Sequence, residues 1–560
     1  MKKIVLIILT LNLCHLVSLG QAGNWLWGRQ GTTIGTEEGW SSATDVSGNV
    51  YATGAFGMPS VTFGSTTLTC AGQYDMFLVK YSSTGVVLWA TSAGGNYNDQ
   101  GWSVATDATG NAYVTGYFNS PTMIFGSDTL FNTGGWNMFL AKYSSTGNLL
   151  WVKSEGGNSS VLANSVTTNS AGNIFVTGYY GTLGILIFGS DTLTNTSINS
   201  TKTFTVEYTP SGTALWARSA GGILNCFGFS IATDLLGDVY ITGSFDSPSI
   251  TFGTTTVTNT AADSTTDIFI AKYSATGSLI WARNAGGTNA DIANSIATDA
   301  LGNAYITGYF NSPTIAFDSY ILANADITGN SSDMFITKYS SSGTVLYTKS
   351  AGGLNGTGSG DRGWSVATDA SGVYVSGGFT SPSIVFGSDT LHFPTGASDP
   401  MFIVKYDSSL NVLCASVLSS GGDDWSGLST DGNGNVYVAG DITGSIPIIV
   451  GLDTLSTTTS QELFFIAKYR CPTELGINEI TTSQSISIYP NPASTLLNIH
   501  HSTCTSPETL LITDLLGTVV YKEELHGIDN TISISTWSAG IYFYEVKSEK
   551  ESARGKFIKE

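Results

Sequence analysis

Side chains suited to gripping a sugar are more prominent in this chain than any suited to covalent chemistry. Asn96, Tyr97, Asn98, Asp99 and Gln100 precede Trp102, and Asp361 and Arg362 precede Trp364. Asn158, Asn225, Asn289, Asp291, Asp423 and Asp424 hold corresponding places elsewhere. Each of these segments ends at one slot, filled in turn by Trp40, Trp102, Asn164, Phe229, Asn294 and Trp364, with Trp425 beside the seventh. Aromatic faces stack on sugar rings, while carboxamides and carboxylates hydrogen-bond to hydroxyls. These positions, Asn98 and Asp99 among them, are therefore candidate ligand contacts. A second reading needs no ligand, because the same aromatics could cap the apolar ends of the elements behind them.

Catalysis finds little material. His392 is the only histidine between residues 23 and 470, and His500, His501 and His526 lie near the C-terminus. No G-x-S-x-G turn and no Ser/His/Asp set is assembled, so no catalytic residue is assigned. A pair of carboxylates is the arrangement that a sequence conceals. Cys70, Cys226, Cys414, Cys471 and Cys504 share no C-x-x-C spacing, which argues against zinc. No metal or cofactor is implied, and calcium lacks support. With Cys14 set aside in the N-terminal apolar run, these five leave at least one thiol unpaired; which of them are bridged stays open. Cys414 stands where most repeats have Trp and reads as a core substitution.

The elements that must position these residues repeat. The phrase A-T-D-x-x-G-N-x-Y-x-T-G recurs with its acidic or amide residue at Asp45, Asp107, Asn169, Asp234, Asp299, Asp369 and Asp431, at intervals of 62, 62, 65, 65, 70 and 62 residues. Four short alternating strands per period read as the blades of an all-β propeller. The second repeat shows the plan: an inner strand over Ser103–Asp107, its partner over Ala112–Phe118, an excursion through Ile124–Leu130, and strands over Met138–Tyr143 and Leu149–Ser154. The repeated Asp reads as turn chemistry, accepting backbone N–H two residues on while the following Gly takes positive φ. Asn169 keeps the acceptor without the charge. Trp89, Trp151, Trp216 and Trp281, continued by Tyr347 and Cys414, and the Lys-Tyr pairs such as Lys80-Tyr81, recur too regularly to be a site.

The seventh repeat ends at Tyr469 without its fourth strand, and Trp25-Leu26-Trp27-Gly28-Arg29 supplies the matching pattern. The expectation is a seven-bladed β-propeller over 23–470, with blades near 40–95, 102–157, 164–222, 229–287, 294–353, 364–422 and 426–469, the last closed by 24–31. A polar linker over 471–484 leads to a small Ig-like β-sandwich over 485–560.

Residues 1–22, with two lysines before an apolar run, read as a secretory signal peptide. Charged residues make up only 11% of the chain, and the net charge of −20 repels phosphate backbones, so nucleic acid is excluded as a partner. No transmembrane segment is expected in the mature chain.

The segments Gly-Asn-x-Tyr-Val-Thr-Gly, Asp-Met-Phe-Leu-x-Lys-Tyr and Ser-Ala-Gly-Gly resemble the bacterial β-propeller repeats called SBBP repeats, across roughly residues 24–470. That resemblance implies architecture and an extracytoplasmic setting. The C-terminal segment resembles the type A sorting domain of the type IX secretion system of Bacteroidetes. The match rests on Tyr489-Pro490-Asn491-Pro492-Ala493, Asp514-Leu515-Leu516-Gly517, Gly540-Ile541-Tyr542 and Lys556-Phe557-Ile558-Lys559. It implies the type IX machinery as a partner, and a location outside the cell or on the outer-membrane surface, reached through the periplasm. The triplets at Asp128, Asp191, Asp389 and Asp453 resemble a Bacteroidetes O-glycosylation pattern, with Thr129, Thr192, Thr390 and Thr454 as acceptors; inherited strand pattern explains them equally. Together these readings give a non-catalytic binding or adhesion module for a glycan or protein. The alternatives are an extracellular polysaccharide-degrading enzyme, a propeller glycosidase or lyase, or a purely structural surface protein.

Overall fold

The computed structural model describes residues 24–471 except 34, 133, 157–158, 262–264, 355–359, 395–396, 398–399, 419–425, 444–446 and 457–461, and residues 486–560 except 502–507, 515–517, 526 and 548–551. The expected signal peptide and residues 472–484 of the expected linker, with Trp425, Asn158, Asp423, Asp424, Cys504, Gly517 and His526, lie outside the described residues. The chain divides into two compact units, residues 1–472 and 473–560.

The first unit is a β-propeller. Its described strands form seven four-stranded antiparallel blades, one of them extended by a neighbouring hairpin. In the second blade, Asp99–Thr106 pairs with Ala112–Phe118, which pairs with Asn137–Tyr143, which pairs with Leu149–Glu155. The inner strand begins four residues before its expected start, because Asp99 and Gln100 already pair with Phe118 and Tyr117. The excursion folds into a small hairpin of Thr122–Phe125 and Asp128–Phe131. Its Ile124 N–H reaches the Gly94 carbonyl of the preceding blade (2.9 Å).

The chain's own beginning completes the last blade. Asn24–Gln30 pairs antiparallel with Leu463–Arg470, joining the sheet that holds Asn435–Ile442 and Gly427–Thr430. Trp27 takes the outer-strand Trp position and donates its Nε1–H to the Ser83 carbonyl of the first blade (3.2 Å). Trp89, Trp151, Trp216 and Trp281 each make the same bond to the blade that follows (3.1–3.3 Å). Cys414, read from sequence as a core substitution, is instead bonded to Cys471 in a disulfide that ties the sixth blade to the end of the seventh. Cys70 and Cys226 are free and buried.

One closed cycle joins the inner strands. Thr106 Oγ1 donates to the Thr44 carbonyl (2.7 Å), Thr168 to Thr106 (2.7 Å), Thr233 to Thr168 (3.1 Å) and Thr298 to Thr233 (2.8 Å). Thr368 donates to Thr298 (2.6 Å), Thr430 to Thr368 (3.2 Å), and Thr44 back to Thr430. Just beyond it, the repeated Asp turns behave as read. Asp45 accepts the N–H of Ser47 (2.9 Å) and Asn49 (3.0 Å), and Gly48 sits at φ 74°. The Asp also holds the Lys of the Lys-Tyr pair: Lys80 Nζ lies 3.0 Å from Asp45 and 4.7 Å above the Tyr51 ring. Burial alone would raise the Asp45 carboxyl, but hydrogen bonds from Asn49 and Lys80 outweigh it and hold it below its ordinary value.

The second unit holds two antiparallel sheets, of three and four strands, sharing a core that includes Leu497, Ile512, Tyr542 and Phe557. The Pro-Asn-Pro segment and the basic C-terminal strand, far apart in sequence, meet here. Asn491 Oδ1 accepts the Ile558 N–H (2.9 Å), and Ala493 N–H donates to the Ile558 carbonyl (2.8 Å). Tyr542, which follows Gly540 at the start of its strand, stacks on Phe557 at 5.6 Å, and Lys556 stays exposed.

Candidate functional site

The slot residues sit where the inner strands carry an extra residue. Strand pairing skips between Gly39 and Ser41, passing over Trp40; the same skip passes over Trp102, Asn164, Phe229, Asn294 and Trp364. Such a β-bulge turns the unpaired residue out of the pleat and re-aims its side chain. The bulge also explains the glycine of the T-G pair. A Cβ on Gly54 would meet the Glu38 carbonyl oxygen at 1.8 Å, and one on Gly116 would meet that of Gln100 at 1.9 Å. No larger residue fits beneath the bulged strand. The Ser after each slot then links blades: Ser41 Oγ accepts the Val104 N–H (3.2 Å), Ser103 that of Val166 (3.1 Å) and Ser365 that of Leu428 (3.1 Å).

Six bulges around one axis gather their side chains into a cavity of about 280 Å³ lined by residues of all seven blades. Trp40, Trp102, Phe229, Asn294 and Trp364 all line it. Trp40 and Trp102 stack face to face, with centroids 4.9 Å apart and planes 16° apart, and Trp102 continues onto Tyr117 at 5.5 Å. The three rings form one stack, with Trp102 between Trp40 and Tyr117. Asn294 is buried and spends its Nδ2–H on the Gly363 carbonyl of the next blade (2.9 Å); Asn164 does the same toward Gly228 (2.8 Å).

Most loop candidates from the sequence, Asn98 and Asp99 among them, are not brought to the cavity. Asp99 is fully buried and accepts from Gly95 N–H (2.6 Å) and from Ser120 Oγ–H (2.7 Å) and N–H (3.3 Å), fastening the interblade loop. Asp291 and Asp361 repeat this clamp on Ser312 and Ser381. Burial raises the Asp291 carboxyl to about 7, against hydrogen bonds from Ser312 that lower it. Asn98 lies in the same loop, where its N–H donates to Asn119 Oδ1 (2.9 Å) and its carbonyl accepts the Asn119 N–H (3.0 Å). His392 is exposed at the end of a hairpin strand. Thr129, Thr192, Thr390 and Thr454 are exposed in their hairpins, while Asp191 and Asp453 brace theirs against Arg218 (3.2 Å) and Arg29 (2.7 Å).

Other groups at the site escaped the sequence reading. Tyr117 and Tyr179 line the cavity from the second strand of their blades, at the position after the T-G pair. That position varies from blade to blade, which is the signal that marks them. Ser426 takes the seventh slot and hydrogen-bonds to Ser376 (2.7 Å), leaving the smallest side chain of the ring there. Glu38, two residues before Trp40 but outside the cavity lining, is raised to about 7 by burial and then by the Glu462 carboxylate. Its charge also reaches the Tyr117 hydroxyl, whose titration is driven upward mainly by burial. Arg362, a candidate from the sequence, is absent from the cavity lining and stacks over Tyr309 (4.6 Å) and Trp364 (5.6 Å). Among the described residues no three His, Cys, Asp or Glu side chains are grouped to hold a metal ion.

The chain is thus a propeller that gathers aromatics at one cavity, followed by a two-sheet C-terminal unit in which motifs far apart in sequence join. Comparison with known proteins places the two parts. Residues 487–560 match the family model "Secretion system C-terminal sorting domain", and residues 280–313 match the "Beta-propeller repeat" model. The tail marks the chain for the type IX secretion system and for export to the cell surface or extracellular space. The chain is 28% identical over 403 residues to the uncharacterized WD repeat-containing protein L264 of Acanthamoeba polyphaga mimivirus, covering 59% of this chain and 29% of that protein. It is 30% identical over 144 residues to the regulatory protein FlaEY of Caulobacter vibrioides, covering 24% and 15% of the two chains. The chain thus spans less than a third of either relative. Among solved structures, PorZ, a surface component of the type IX secretion system of Porphyromonas gingivalis, aligns with TM-score 0.35 and 12% identity over 92% of this chain and 58% of that one. Sqt1 of Chaetomium thermophilum aligns with TM-score 0.35 and 9% identity over 81% and 100%. Among the described residues no helix is long and apolar enough to cross a membrane.

Proposed function

We propose that this exported propeller is a non-catalytic glycan-binding module whose ligand enters the central cavity and packs against the Trp40–Trp102–Tyr117 stack. The observation that carries the reading is the bulge. A strand that only needed capping would keep its ladder, whereas six blades give up a pairing position to turn a slot side chain toward one shared cavity. Its volume suits one or two sugar rings, and half-buried indole faces beside polar groups are how proteins hold carbohydrate.

The test is a glycan-array and polysaccharide screen on the full chain beside a Trp40→Ala/Trp102→Ala/Trp364→Ala variant. The expected outcome is saturable binding by the wild type, weakened at least about tenfold in a variant that keeps its far-UV spectrum. No saturable binding by the wild type, or binding that the variant retains, overturns the reading. Shortening of a bound polymer by trace amounts of protein transfers the cavity to an enzyme.

A further inference from the structure

Six blades each leave one hydrogen-bond donor over on the cavity wall. The inner strand of a blade has a free edge, and its backbone groups need partners from the neighbouring blade. The Thr cycle satisfies carbonyls and uses each hydroxyl hydrogen in doing so. Ser41, Ser103, Ser165, Ser230, Ser295 and Ser365 satisfy N–H groups instead, each Oγ accepting from the next blade at 3.1–3.3 Å. A hydroxyl used as an acceptor keeps its hydrogen, and none of these six meets an acceptor among the described residues. All six line the cavity, and Ser103 is 92% buried there, at 8% exposure. An oxygen that already accepts a hydrogen bond is also the stronger donor.

The slots of the third and fifth blades hold the complementary group. Asn164 and Asn294 each direct Nδ2–H to the next blade, and neither Oδ1 has a donor among the described residues. Asn294 is only 6% exposed, so its carboxamide oxygen is a buried acceptor on the cavity wall. Val166 and Ile296, which follow Ser165 and Ser295, are buried and add apolar surface to the same lining. Among the described residues no charged side chain lines the cavity.

Resting on the glycan-binding reading, we infer that the cavity selects N-acetylated amino sugars, with Asn164 and Asn294 as specificity-determining residues. The acetamido group uses all three features. Its N–H donates to a carboxamide oxygen of Asn164 or Asn294, its carbonyl accepts from a Ser hydroxyl beside that Asn, and its methyl packs on Val166 or Ile296. A plain hydroxyl in its place offers no apolar surface and leaves part of the donor and acceptor set unpaired. A free ammonium loses its hydration at a wall that supplies no carboxylate.

The test measures binding of three oligosaccharide probes to the full chain by calorimetry: N-acetylglucosamine oligomers, glucose oligomers of the same linkage and glucosamine oligomers. The wild type binds the N-acetylated probe about tenfold more tightly than the glucose probe, and the glucosamine probe most weakly. Asn164→Leu/Asn294→Leu keeps the side-chain size, removes both carboxamides and brings the first two probes to within about twofold of each other, with thermal unfolding confirming a folded variant. The wild-type comparison stands whether or not that variant folds. Equal wild-type affinity for the first two probes, or tightest binding of the glucosamine probe, overturns the inference while the glycan-binding reading stands. Retention of the tenfold preference in the folded double variant overturns the assignment to these two residues. Binding of none of the three, beside a negative array, overturns both.

Discussion

The two ends of the inner strands obey opposite rules. At the end near the Asp turns, every blade spends the same Thr hydroxyl on the same Thr carbonyl of its neighbour, and the cycle closes on itself. At the other end, Trp, Asn, Phe and Ser share one slot, and no two adjacent blades after the first pair carry the same residue. The difference lies in what each position owes its neighbours. A Thr whose hydroxyl and carbonyl both serve adjacent blades cannot change without unpairing two of them. A bulged residue has no ladder partner to satisfy, so its side chain is free to vary.

The sharpest way to break this comparison is to attack the invariant end. Asp45→Ala removes the turn acceptor and leaves the buried Lys80 ammonium without its carboxylate. The expected loss is about 3–5 kcal/mol in denaturant unfolding, with the cavity's ligand affinity preserved in whatever protein stays folded. A loss within that of a surface substitution would show the Asp–Lys pair to be dispensable.

The third blade offers a subtler perturbation, because it has exchanged both members of that pair. Asn169 replaces the Asp and Glu207 replaces the Lys, and Glu207 accepts from Asn173 Nδ2 (2.7 Å). Glu207→Lys alone buries an ammonium with no carboxylate opposite and is expected to cost about 1–3 kcal/mol. Adding Asn169→Asp rebuilds the pattern of the other blades and recovers most of the loss. A double-mutant cycle showing no coupling would mean that the two exchanges arose independently.

The smallest expected effect concerns pH. Glu37 is fully buried, and burial raises its carboxyl to about 8. Because the folded value lies above the unfolded one, near 4.3, its contribution is fully present below about pH 4 and is lost as pH rises through about 8. Asp291, raised to about 7, and Asp75 and Asp333, each raised to about 6 chiefly by burial, act in the same direction. Tm should therefore fall by a few degrees between pH 5 and 8.5, and less in Glu37→Gln. A flat profile identical in both proteins would remove Glu37 from the balance.

Much of this architecture was legible in the sequence, because a period that recurs seven times averages away the ambiguity of any one strand. The N-terminal strand that completes the last blade was readable for the same reason: Trp27 repeats the outer-strand pattern. The slot was legible as a variable position, but its geometry was not, since one extra residue in a strand leaves the alternation on either side intact. Asp99 illustrates the cost. A polar residue beside a loop reads as available, whereas its carboxylate is consumed by Gly95 and Ser120. Glu38 and Glu462 were invisible because only ring closure brings the two ends of the propeller sequence together. The departures at Asn169 and Glu207 were each visible, but their connection appears only where Lys and Asp meet in the other blades.

The pairing of Asn24–Gln30 with Leu463–Arg470 also sets an order of events. The strand made first waits through the synthesis of every repeat for its partner, which emerges last and is followed at once by the secretion tail. Until then both ends of the nascent sheet array expose unpaired edges open to the wrong neighbour. A chain cut short within the repeats lacks both the strand that closes the ring and the sorting tail that follows it.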